Sequence, residues 1–234
     1  MLVAAAVCPC PPLLVPEVAA GAAPELDAAR TACSDALAVL AAARPDLLVV
    51  VGPAGQKERG AHPAGATGSF RGFGVDLEVR LGAGGRTERQ LPPSLAVGAW
   101  LLDRGRWGSP AEGLGIAESL APALCRETGR EIAGRADRVA LLAMGDGSAC
   151  RTFKAPGYLD ERAAGFDALA ARALGNADIG TLAGLDVSPA DELKAAGRAP
   201  WQVLAGAAEG AGLTGRLLYE GAPYGVGYFV AAWS

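Results

Sequence analysis

The chain has 234 residues, 51% of them hydrophobic, which is enough to bury a substantial core in one domain and too apolar for a disordered segment. Its net charge of −4, with arginines scattered singly, leaves no basic patch for nucleic acid or for an anionic membrane surface. No run reaches the roughly 18 apolar residues of a membrane-spanning helix.

In chain order, the first predicted element is a strand over Leu2–Val7, stopped by the stiff turn "CPCPP". Leu26, Ala29, Cys33, Ala36, Leu37 and Leu40 recur at helical spacing and predict an amphipathic helix. A second buried strand follows over Leu47–Val51, and then "GPAGQKERGAHPAGATGSFRGFG", 23 residues with neither helical nor strand period. "VDLEVRL" (Val75–Leu81) alternates apolar and polar residues, the pattern of a half-exposed strand at a sheet edge. Val139–Met144 is a third buried strand. Leu159, Ala163, Phe166, Ala170 and Ala173 predict a helix, as do "SPADEL", with Ser188 as cap and Pro189 in the first turn, and the segment starting at Pro200. Two last strands are predicted over Leu217–Tyr219 and Val226–Ala231. Strands alternating with helices imply an α/β fold: a layered α/β/α single domain over 1–234 with a mostly parallel central sheet.

Such sheets bind ligands outside the carboxyl ends of their strands, so the loops after Val7, Val51 and Met144 should converge on one cleft. In "VCPCPP", Cys8 and Cys10 share a face of the extended chain and could reach one ion. Zinc sites, however, usually space paired cysteines about two to four residues apart and need four ligands, and no second pair is present. Cys8 therefore reads as a small core hydrophobe. His62 is the only histidine, and one imidazole cannot build a centre of two or three histidines; an ordinary loop position is its plainest reading. A triad of His62 with Ser148 and Asp146 has no support from spacing, since "GDGSA" is not a nucleophile elbow.

"AMGDGSACRTFKAPGY" sets Asp146 between glycines at a strand end, with Ser148 beside it and Arg151 and Lys154 supplying positive charge. It reads either as a wall for a polar ligand or as a turn capped by its own aspartate, and it matches no phosphate loop or dinucleotide fingerprint. Pro53, Lys154 and Tyr224 are candidate pocket residues, and Glu192 and Glu220 further carboxylates. The five cysteines, odd in number and irregularly spaced, fit free thiols in a reducing compartment. Met1–Val7 lacks the charge and length of a secretion signal, so a cytoplasmic location is expected.

Taken together, "CPCPPLLVPE", "DLLVVVGPAG", "VALLAMGDGSACR" and "YGVGYFVA" resemble a bacterial branch of the class III, or LigB-type, extradiol ring-cleavage dioxygenase superfamily, which also holds Memo-like proteins. The resemblance runs over nearly the whole chain in order. It implies a non-haem Fe(II) held by two histidines and a glutamate, with another histidine as acid/base, cleaving catechol-type rings with oxygen. Carried over residue by residue, the first iron histidine falls on Cys10, and the second falls within Pro53, Ala54 and Gly55. The acid/base histidine falls on Ala149 or Cys150, after Asp146 and Ser148, and the glutamate on Glu192 or Glu220. Three histidines are thus replaced. The expectation is a LigB-like protein that binds a small-molecule ligand in the inherited cleft, with no cofactor and without ring cleavage. Three alternatives stay open. One is a true dioxygenase; another is altered chemistry, with Fe(II) or Zn on Cys10, His62 and Glu192, or with Cys10 as a nucleophile. The third is a homodimer formed through Val75–Leu81, Trp100 and Trp107, although ordinary core packing of the two tryptophans is favoured.

Overall fold

The computed structural model describes residues 1–85, 87 and 89–234. Its elements, in order, are β1 (Leu2–Cys8), α1 (Pro16–Ala19), α2 (Asp27–Ala42), β2 (Leu47–Pro53), β3 (Gly60–His62), β4 (Thr67–Ser69) and β5 (Glu78–Arg80). Next come α3 (Pro93–Arg104), β6 (Ala111–Ile116), α4 (Pro122–Ala133), β7 (Val139–Met144), α5 (Arg162–Gly175) and α6 (Ile179–Ala183). The chain closes with α7 (Val187–Glu192), α8 (Arg198–Ala207), β8 (Gly215–Gly221) and β9 (Tyr228–Trp233).

The central sheet has seven strands in the order β3-β6-β2-β7-β1-β9-β8. Its middle four, β6, β2, β7 and β1, are parallel, and β3, β9 and β8 join antiparallel at the two flanks. The apolar runs of β1, β2 and β7 are continuous because helices cover both faces. Ala4, Ala6, Leu48, Val50, Leu142 and Met144 enter the layer shared with α2 and α3. Leu2, Val7, Val49, Val51, Leu141 and Ala143 enter the layer shared with α4, α5 and α8. β7 lies between β1 and β2, so the chain leaves a gap on its first crossover and fills it some 90 residues later.

α3 approaches β2 closely enough that a Cβ on Gly52 would lie 2.6 Å from Ser94 Oγ. Gly52→Ala should therefore push the start of α3 off the sheet, at a cost of about 1–3 kcal/mol, the usual penalty of overpacking. Equilibrium urea unfolding would measure it, and an unchanged midpoint would show that α3 shifts freely.

Several expectations need correction. Only Glu78–Arg80 of the Val75–Leu81 segment forms a strand, and it pairs with β4 in a separate two-stranded sheet against α3 rather than at the main edge. The stretch expected to lack structure contains β3 and β4, held by partners distant in sequence. Ser188 lies inside α7, capped at Asp186, and its hydroxyl bonds Glu192 at 3.0 Å. The core packing favoured for the two tryptophans is what the structure has: Trp100 is buried, with Arg104 stacked 5.0 Å from its ring centre, and Trp107 packs against the same core. Among the described residues, no helix is long and apolar enough to cross a membrane.

Candidate functional site

The four parallel strands end on one edge of the sheet, and the turns leaving β1, β2 and β6 line an open cavity of about 430 Å³. Cys10 enters from the turn after β1, Pro53 from the end of β2, and Arg59 from the turn beyond it. Ser94 enters from the first turn of α3, Glu118 and Ser119 from the turn after β6, and Asp191 from α7.

Asp146, just past β7, is joined to this cleft through Cys10. Its Oδ1 accepts the Cys10 backbone N–H at 2.8 Å, which ties together the turns after β1 and β7. Burial pushes the Asp146 carboxyl up to about 7; the Cys10 N–H works against the rise, and the negative Glu118 adds to it. The Cys10 thiol, 8% exposed, is pushed well above its ordinary range by burial and then by Asp146 and Glu118. It is therefore a neutral thiol at physiological pH. Burial, with Asp146 and Cys10 nearby, raises the Tyr228 phenol as well.

The walls are held by groups that bond backbone. Ser94 Oγ donates to the Pro53 carbonyl at 2.6 Å, joining α3 to the end of β2. Arg198, only 1% exposed, donates to the carbonyls of Leu120 at 2.7 Å and of Glu118, and to Gln202 Oε1 at 2.7 Å. A buried guanidinium with its donors spent on carbonyls fixes the loop that carries Glu118 and Ser119.

Of the sequence candidates, Cys10 and Pro53 line this cleft and Asp146 abuts it. Ser148 does not reach it: the residue is fully buried, its Oγ donates to Asp167 Oδ2 at 2.9 Å and its N–H to Oδ1 at 2.7 Å. Arg151 completes that network at 2.9 Å. Cys150 is buried apart from the cleft, its Sγ donating to the Leu193 carbonyl at 3.5 Å. Lys154 and Tyr224 come together, but in a different groove, with Phe153 and Pro223. Glu192 is held by Arg162 at 2.6 Å and does not line the cleft, whose two carboxylates are Glu118 and Asp191. Glu220 lies on β8 beside Arg172 and Arg216 at the far flank.

His62 is not a solvated loop residue. It sits on β3, fully buried, with Nε2 at 2.8 Å from the Glu58 carbonyl. Nε2 must carry the proton in that bond, and Nδ1 is left buried with no hydrogen-bond partner. Burial lowers its pKa, against the pull of the Glu58 carbonyl, so the ring is neutral at physiological pH.

Glu118, Ser119, Arg59, Asp191 and Ser94 were not singled out by the sequence. Recognising β6 would have brought in Glu118 and Ser119, which follow it at the strand-end position.

These residues do not fit the iron centre that the resemblance implies. Cys10, which the resemblance aligns with the first iron histidine, brings a neutral thiol to the cleft, the chain's one imidazole lies outside the cleft lining, and its Nε2 is committed to Glu58. Among the described residues no three His, Cys, Asp or Glu side chains converge to hold a metal ion.

No family model matches the chain, and no curated protein does either. Among solved structures it is similar to the crystal structure of an uncharacterized protein, JW3007, from Escherichia coli K12. The two share 15% identity and a TM-score of 0.55 over 99% of each chain. The likeness is one of fold.

Proposed function

We propose that this chain is a LigB-like protein that binds a small molecule in the strand-end cleft and has lost the ring-cleaving iron chemistry of active members of that superfamily. The observation that carries the reading is Cys10. The residue in the place of the first iron histidine lines the cleft with a thiol that its surroundings keep protonated. A protonated thiol is a poor nucleophile, and one thiol with no imidazole beside it in the cleft lining is a poor match to an iron site of two histidines and a glutamate. The same fact weighs against Cys10 as an attacking group, because the groups that act on it, Asp146 and Glu118, are carboxyls that raise its pKa where activation needs a neighbouring cation.

Protein produced in iron-supplemented cells and purified without chelators is expected to carry far less than one iron per chain by elemental analysis. It is expected to show no oxygen uptake with catechols after ferrous loading. Stoichiometric iron together with catechol-dependent uptake would overturn the reading.

A further inference from the structure

We infer that the cleft selects a zwitterion of the α-amino-acid type, with the ligand's carboxylate on Arg59 and its ammonium between Glu118 and Asp191; this rests on the ligand-binding reading above. All three charged side chains line the same cavity. Among the described residues none of them forms an ion pair, and the cation whose charge acts on Glu118 is the buried Arg198 guanidinium rather than Arg59.

Arg59 makes a single long bond, Nε to the Ala54 carbonyl at 3.4 Å, which leaves the outer edge of its guanidinium for a planar two-oxygen acceptor. Its backbone is anchored: the Arg59 carbonyl accepts from Arg89, and the neighbouring Glu58 carbonyl accepts from His62. Glu118 stands on the loop that Arg198 clamps through the Glu118 and Leu120 carbonyls. The two ends of the proposed ligand would therefore meet charges borne on fixed turns, which lowers the ordering cost of binding.

Pro53, Ala54, Pro93 and Cys10 line the same cavity, and Cys10 is more than nine-tenths buried. The charge balance also ranks related ligands. Two carboxylates against one guanidinium favour an amine over an acid, and only a molecule carrying both groups satisfies all three side chains.

Backbone amide shifts in isotope-labelled protein would test this. The probes are L-leucine and L-phenylalanine, each alongside its matched amine (isopentylamine, phenethylamine) and matched acid (4-methylpentanoate, 3-phenylpropionate). The amides to follow are those of Gly55, Ser94 and Glu118. An amino acid is expected to bind about fivefold tighter than its amine, the scale of one exposed ion pair, and to exceed its acid by more. Arg59→Gln should abolish the preference over the amine by weakening the amino acid and, with a cation removed from the cavity, tightening the amine, and Glu118→Gln should weaken both.

An acid that binds as well as the amino acid, or a preference that survives Arg59→Gln, would overturn the charge assignment. Shifts at these amides with uncharged catechol and none with the amino acids would overturn the zwitterion and leave the cleft as a ligand site. Silence from every probe, catechol included, would overturn both.

Discussion

Replacing Asp167 with alanine is expected to cost about 3 kcal/mol of folding stability. Asp167 is fully buried on α5 and accepts three hydrogen bonds, from the Ser148 N–H, the Ser148 hydroxyl and Arg151. Without it, two buried donors of Ser148 lose their partner, and each unsatisfied group costs about 1–3 kcal/mol. Arg151, with 31% of its side chain exposed, can recover water, so its share of the loss is smaller. The urea midpoint should fall at an unchanged m-value, whereas Glu192→Ala, which breaks an exposed pair, should change stability by less than about 1 kcal/mol. A loss in Asp167→Ala no greater than that of Glu192→Ala would mean that the Gly-Asp-Gly-Ser turn is held by other contacts.

Asp146→Asn is expected to stabilise the protein by an amount that grows as pH rises from 3.8 to about 7 and is absent in more acidic solution. The folded carboxyl is raised from its ordinary 3.8 to about 7, so the fold favours the protonated form. That favourable term is fully present below 3.8 and is lost as pH rises through 7, while the unfolded chain ionises freely. Three pH units correspond to ~4 kcal/mol, and partial exposure to the cleft reduces the expected gain to about 2–3 kcal/mol. Asparagine keeps an oxygen to accept the Cys10 N–H and carries no charge to desolvate. Unfolding curves for the two proteins should coincide near pH 4 and separate progressively towards pH 8. Equal separation at all pH values would place the effect in packing, and a more stable wild type at pH 8 would mean that the ionised carboxylate is held favourably.

The buried parallel strands were legible because their apolar runs have no polar interruption. β1, β2 and β7 fall within two residues of the spans their hydrophobicity predicts. β6 was not legible, because Gly113 and Gly115 dilute its pattern. Those glycines are there because Leu81, Leu95 and the Glu58 carbonyl occupy the space a side chain would need. α3 was missed for the opposite reason: nine of its residues are buried, so no polar face marks a helical period. At the site, Cys10, Pro53 and Asp146 followed from strand-end logic, which needs only the strand and the residue after it. Ser148 and Asp146 look alike as polar groups between glycines, and only the distant Asp167 decides that one turns inward to a structural network while the other abuts the cleft. Such a partnership, 19 residues apart in sequence, leaves no local mark.

The insertion of β7 between β1 and β2 dictates an order of assembly. Until residues 139–144 are in place, the two strands that will flank them present open hydrogen-bonding edges and uncovered apolar faces. A nascent or truncated chain that stops short of this segment has no native way to join its first two long strands, and its exposed edges are the natural points for pairing with another chain. The sequence keeps β7 uniformly apolar over "VALLAM", so the piece that closes the gap is also among those most strongly drawn into it.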